Sequence, residues 1–304
     1  MKIRTVLGDI SSGELGLTLV HEHIMCDFIG ADRVSRDRYD FQEVFNVMLP
    51  YLNEIKQLGV SGFVDCTPAF IGRDPQLLAS LSKASSIHIL TNTGLYKEPF
   101  LPKYAFEYSA EELASMWVNE IEEGIEGTPI KAGFVKIAVN PGHIIPIQQK
   151  IVKAAARCSL STGAVIVCHT ASGIAAMELL DIVDEESLDP AKVIVAHCDS
   201  EENWNYHLKI LQRGAWVEYD GISETTAMKV LNLIRLVVDN GFSDRLLLSQ
   251  DAGWYNVGEK RGGTIRPYSY LVKNFVPLML REGLSQSLVD KVLVKNPARA
   301  FQIN

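Results

Sequence analysis

Cysteine is scarce in this chain: five residues in 304, with no CxxC pair among them. An odd, scattered set argues against a disulfide framework and fits a reducing, cytoplasmic setting. Positive charge is also short. Lys and Arg number 29 against 37 Asp and Glu, a formal net charge of −8, which disfavours nucleic acid or an anionic membrane as partner. No long apolar run is present, and the opening "MKIRTVLGDISSGELG" has none of the features of a signal peptide, so no transmembrane span is expected. Pro/Ser-rich tracts, charge blocks and low-complexity segments are missing too. Without a linker signal, residues 1–304 are expected to form one domain, large enough for a sizeable core.

What recurs instead is a short apolar run followed by a helical pattern. The runs are "LTLVHEHI", "VSGFVDCT", "IHILTNTG", "AGFVKIAV", "GAVIVCHT", "KVIVAHCD", "GAWVEYDG" and "RLLLSQDA". Continuous apolar runs of this length fit strands buried on both faces, as parallel strands are. Between them, "SAEELASMWVNEIEEG" opens with Ser109 and Glu112 at capping-box spacing. "IQQKIVKAAARCSLSTG" and "TTAMKVLNLIRLVVDNG" end on Gly, as helices often do. Pro50 is expected to kink or split the helix in "FQEVFNVMLPYLNEIKQLG". Eight strand–helix alternations suit a (β/α)8 TIM barrel, with an open doubly wound sheet as the competitor.

Polar residues at the strand ends favour closure. His21 and His23 end the first run, Lys136 lies in the fourth, His169 ends the fifth, His197 the sixth, and Asp251 follows the eighth. A barrel gathers such residues at the C-terminal ends of its strands, whereas an open sheet would separate the first strand from the eighth. Strand alternation points His21 and His23 one way and Glu22 the other. A single strand histidine is more often a satisfied core residue; three strands ending this way are harder to explain by packing. By the same parity, Cys168 and Cys198 should face the helices as small hydrophobes. Cys66 and Cys158 are read as structural, and Cys26 stays a weak candidate by proximity. His88 and His207 receive no role, and His143 is read as structural.

Imidazoles and a carboxylate suit zinc and similar divalent ions. A lysine does not, because its ammonium offers no lone pair. Lys136 nevertheless sits between apolar neighbours in "GFVKIAV", where an unpaired charge is costly. A neutral amine can add CO2 to give a carbamate, whose two oxygens can bridge two cations.

This order of residues resembles the phosphotriesterase family of the amidohydrolase superfamily: HxH on strand one, Lys on four, His on five and six, Asp after eight. "TLVHEH", "GFVKIA", "VIVCHTASG", "VIVAHCDS", "LQRGAWVEYD", "LLLSQDAG" and "KNPARAF" carry the resemblance over nearly the whole chain. It implies a binuclear hydrolase with two divalent metal ions, zinc first, with manganese, cobalt or iron as alternatives. His21, His23 and Asp251 would hold the buried ion, and His169 and His197 the exposed one. Carboxylated Lys136 would bridge them, a bridging hydroxide would attack the substrate, and Asp251 would take its proton. A homodimer is implied by the resemblance alone.

The chain departs from the organophosphate-cleaving members, which relay the proton outward through a His after strand seven and an Asp after strand six. Gly221 and Ser200 stand there, although Asp220 is retained. Tyr96 in "NTGLYKEPF" matches a tyrosine that lies over the metals in lactonases of the family. The loop after strand eight, "DAGWYNVGEKRGGTIRPYSYL", offers Lys260, Arg261, Arg266 and Tyr268 as substrate-binding candidates, with Arg266 the expected anion anchor. The expected activity is that of a lactonase acting on a small polar or anionic lactone, including a phosphorylated sugar lactone. An amidase, carboxylesterase or phosphotriesterase is the alternative within enzymes. A ligand-binding protein that keeps the barrel is the alternative outside them.

Overall fold

All eight apolar runs form strands in the computed structural model, which describes residues 1–303. They are Leu17–Cys26, Val60–Asp65, His88–Leu90 with its continuation Asn92–Thr93, Phe134–Ala138, Ile166–His169, Val193–Ala196, Trp216–Tyr219 and Leu246–Leu248. Each pairs in parallel with its neighbour in sequence order. The chain past the eighth strand closes the ring. Gly253–Asn256 pairs in parallel with the first strand, with Gly253 opposite His23. Just before it, the Asp251 N–H donates to the His21 carbonyl at 3.1 Å and the His23 N–H to that of Ala252 at 2.9 Å. The fold is a (β/α)8 barrel, and the open-sheet alternative is excluded.

Two apolar layers follow from strand alternation. Val20, Val64, Leu90, Phe134, Val167, Ile194, Trp216 and Leu247 fill the barrel interior. Val135, Ile137, Ile166, Cys168, Val195 and Val217 face outward to the helices. An N-terminal hairpin, Lys2–Thr5 with Gly8–Ser11, brings Ile3 into the interior cluster. Phe301 joins it, packing edge-on to Phe134 at 5.5 Å between ring centroids. The bottom is therefore sealed by hydrocarbon, and polar side chains collect at the opposite end of the strands.

The helices carry their expected signals, with one exception. Ser109 caps Ala110–Glu122 and Glu112 completes the capping box. Gly163 ends Pro146–Thr162 in the left-handed conformation that glycine adopts without a Cβ clash. Pro50, however, neither splits nor ends its helix, which runs from Phe41 to Gln57. Val44, Met48, Leu52 and Ile55 bury one face across the proline, so packing outweighs the one missing hydrogen bond. No helix among the described residues is long and apolar enough to cross a membrane.

Candidate active site and metal centre

A pocket of about 400 Å³, its open mouth included, lies at the C-terminal ends of the strands. Its walls include His21, His23, Lys136, His169, His197 and Asp251, together with Tyr96, Phe28, Cys66 and Trp254. Six residues separated by up to 230 positions in sequence thus converge. Three backbone devices aim them. The pairing of the first and second strands shifts register between Leu19 and Glu22, and Val20 and His21 both turn inward. A bulge re-aims side chains in this way. On the sixth strand Ile194 and Ala196 face inward, so plain alternation would point His197 outward. His197 instead adopts φ 59°, and this left-handed residue returns its ring to the pocket. Asp251 and Trp254 are also left-handed, at φ 51° and 73°. Non-glycine residues held there store strain, and such residues cluster at functional sites.

The histidines are oriented from behind. Nδ1 of His21 lies 2.5 Å from Glu218 Oε1 and 3.2 Å from Asp220 Oδ2. Nδ1 of His197 donates to Asp220 Oδ1 at 2.7 Å. Nδ1 of His23 donates to Thr67 Oγ1 at 2.8 Å, whose own proton goes to the Met25 carbonyl at 3.1 Å. With each Nδ1 proton so engaged, the three Nε2 lone pairs turn to the pocket, the arrangement that prepares imidazole for a metal. Burial pushes the His23 ring down to about 4, so it is neutral at pH 7.

His23 Nε2 then meets Asp251 Oδ1 at 3.1 Å, two acceptors face to face. Asp251 Oδ1 is buried and has no hydrogen-bond partner. Lys136 is 1% exposed, with its Nζ 3.1 Å from His21 Nε2. No carboxylate among the described residues pairs with it. A cation among these atoms resolves the facing acceptors, and a carbamate would supply the negative charge that the lysine position lacks. The donor set therefore fits divalent metal. His21, His23 and Asp251 present donor atoms within 4.8 Å of one another. A second close group, His21, His197 and Asp220, has a different nature. Asp220 there accepts the Nδ1 proton of His197 and lies 3.2 Å from Nδ1 of His21, behind both rings, so it orients them.

His169 completes the cluster, its ring centroid 4.4 Å from that of His197. The Tyr96 hydroxyl is 3.1 Å from His169 Nδ1, and burial raises its pKa, which keeps the phenol protonated. Trp254 stacks on His23 at 3.8 Å and its indole N–H donates to the Asp251 carbonyl at 2.8 Å.

The loop after the eighth strand corrects the expectation for its cations. Lys260 and Arg261 are exposed on a short 3-10 turn and do not line the pocket. Tyr268 is fully buried between Phe63 and Tyr51, and its hydroxyl donates to the His23 carbonyl at 2.7 Å. It supports the strand from beneath and cannot reach substrate. Arg266 spends its donors on backbone, reaching the Ile222 carbonyl at 2.7 Å and that of Asp251 at 3.4 Å. It ties together the loops after strands seven and eight. Arg266→Ala is expected to lower stability by about 2 kcal/mol, two charge-assisted bonds being lost. Discrimination between anionic and neutral substrates should not change. Thermal melts and paired kinetics check this; a selective loss on the anionic substrate would restore the anchor role.

Other residues divide similarly. Cys168 and Cys198 pack outward as expected, whereas Cys66 lies at the pocket wall. His143 is 84% exposed and pairs with Glu178. Sequence reading passed over Glu218, Thr67, Trp254, Phe28 and Lys97. Glu218 could have been found, since it shares the inward parity of Trp216 and Asp220. The Lys97 Nζ lies 3.1 Å from His169 Nε2, and nothing in its sequence context marks that. The missing relay also has a structural reason. A Cβ at Gly221 would lie 2.3 Å from Asp199 Oδ2, so that carboxylate occupies the space of a side chain.

The sequence profile of the phosphotriesterase family matches residues 1–301. The chain belongs to the phosphotriesterase family. A phosphotriesterase homology protein of Escherichia coli K12 is 32% identical over 291 residues, covering 94% of this chain and 98% of its own. An aryldialkylphosphatase of Saccharolobus solfataricus is 29% identical, covering 96% of each. Among solved structures, a lactonase from Listeria monocytogenes superposes with a TM-score of 0.88 at 29% identity, over 100% of both chains. Membership makes this family protein a hydrolase acting on ester bonds.

Proposed function

We propose that the protein is a metal-dependent lactonase that opens a small polar or anionic lactone. The observation that carries the reading is the facing of His23 Nε2 and the unpartnered, buried Asp251 Oδ1, in the same pocket where the Tyr96 hydroxyl meets His169. In this reading His21, His23 and Asp251 hold one divalent ion, zinc first. His169 and His197 would hold the other, and Lys136 as its carbamate would supply an anionic ligand to the centre. Bound ions supply Lewis acidity and make water acidic enough to ionise near neutral pH.

The chain's own residues do the rest. Glu218, Asp220 and Thr67 fix the ring orientations and tautomers. Asp251 Oδ1, with no donor committed to it, accepts a proton from water. Tyr96 donates from its phenol to the ring oxygen that departs when the lactone opens. Trp254 and Phe28 shield the reacting atoms from bulk water. Gly221 stands where the histidine of the outward proton relay would be, and a side chain there would have to displace the Asp199 carboxylate. The missing relay favours a carboxyl substrate over a phosphotriester, whose hydrolysis in related enzymes uses it.

The test is a panel of initial rates by proton release in weak buffer. It would include acyl-homoserine lactones, free and phosphorylated sugar lactones, simple esters, amides and a phosphotriester. A polar or anionic lactone is expected to react fastest. If the phosphotriester or an amide alone turned over, the metal centre would stand and the lactonase assignment would fall.

A further inference from the structure

We infer that Lys97 determines specificity by receiving an anionic group of the substrate beside the metal centre. The inference rests on a metal-loaded pocket but not on the bond that is cleaved there. Lys97 is half-buried, immediately after Tyr96, with its Nζ 3.1 Å from His169 Nε2 and 5.5 Å from the Tyr96 ring centroid. No carboxylate among the described residues lies within ion-pair distance of it. Its polar neighbour is an imidazole, which brings no negative charge whichever nitrogen turns to a metal.

The surroundings make that unusual. Trp254, Phe28, Phe100 and Tyr96 form a continuous aromatic arc, with successive ring centroids 5.8, 5.5 and 6.1 Å apart. A cation held at the end of such an arc is partly stripped of water, and Tyr96 offers it only the modest attraction of a ring face. A partly desolvated charge without a counterion is costly, and a substrate carboxylate or phosphate removes that cost. The cations of the loop after strand eight are placed differently: Arg266 donates to backbone carbonyls, and Lys260 and Arg261 are exposed on a 3-10 turn, whereas Lys97 is half-buried against the pocket residue His169. The apolar arc would then receive the uncharged part of the same molecule. The ligand class is a small carboxyl derivative bearing an acidic group.

A pair of metal-directed probes tests this without turnover: succinic acid monohydroxamate and its methyl ester, titrated calorimetrically into zinc-loaded protein. The wild type should bind the free acid at least tenfold more tightly than the ester. In Lys97→Met that preference should fall to twofold or less, with the ester's affinity and the zinc content unchanged. Lys97→Arg should keep part of the preference. A wild type without preference, or a preference that survives in Lys97→Met, overturns the inference. Equal loss for both probes in Lys97→Met would assign the lysine to support of His169 and would overturn it as well. If the wild type opens no lactone yet shows the Lys97-dependent preference, the lactonase reading falls and this one stands.

Discussion

Replacing Lys136 with alanine is expected to lower kcat/KM on the best substrate at least 10³-fold, about 4 kcal/mol of transition-state stabilisation. The residue sits on the fourth strand between Val135 and Ile137, which pack outward, and its own chain points inward. Alanine leaves that packing intact, so the variant should fold and melt near the wild type. What it removes is the group proposed to bridge two cations. Metal content should therefore drop from two equivalents toward one, as read by elemental analysis. A short carboxylate such as propionate should restore part of both activity and metal content, since its two oxygens can stand where the carbamate's would. Wild type reconstituted in CO2-depleted buffer should likewise load poorly until bicarbonate is added. A variant that kept two ions and full activity would remove Lys136 from the centre while leaving the histidines and Asp251 in place.

The second large effect is expected at a residue with no chemistry of its own. Gly253 opens the segment that closes the barrel against the first strand, at φ 97°. A Cβ there would lie 1.9 Å from the His23 carbonyl and 2.4 Å from the Tyr268 hydroxyl. Both neighbours are fixed, one in a strand and the other in the fully buried ring beneath it. Gly253→Ala must therefore break the Tyr268 hydrogen bond to that carbonyl or part the two strands. The left-handed backbone adds its own penalty for any side chain. We expect a loss of about 3 kcal/mol or more and a fall in Tm of roughly 5 °C or more. The site should fail ahead of the fold, because His23 and Asp251 flank the closure on either side. Metal affinity measured below the melting range should drop together with turnover. Native-like metal loading in Gly253→Ala would show that closure and ligand geometry are independent.

Much of this protein was legible in its sequence, and the reasons are local. Eight apolar runs with strand-like length report parallel strands because burial on both faces leaves no other composition. The positions of His21, Lys136, His169, His197 and Asp251 at the ends of different runs implied a common site, since barrel closure gathers strand ends. Ser109 and Glu112 marked a helix start by a hydrogen-bond pattern contained in four residues.

Tertiary structure decided what depends on partners distant in sequence. Parity alone would have turned His197 outward; a left-handed residue, favoured by no local signal, returns it. Arg266 and Tyr268 looked available for substrate because a loop sequence does not say which backbone carbonyls will consume its donors. Lys97, beside a tyrosine that was recognised, acquires meaning only from a histidine 72 positions away. A side chain at Gly221 would have to displace the Asp199 carboxylate, a contact 22 positions apart in sequence that the sequence does not announce. Residue type and spacing thus determined the candidate ligands and the barrel, since periodicity and donor chemistry are properties of the chain itself. Which cations stay free of a partner was left to packing, because a charge is available only where no neighbour has claimed it.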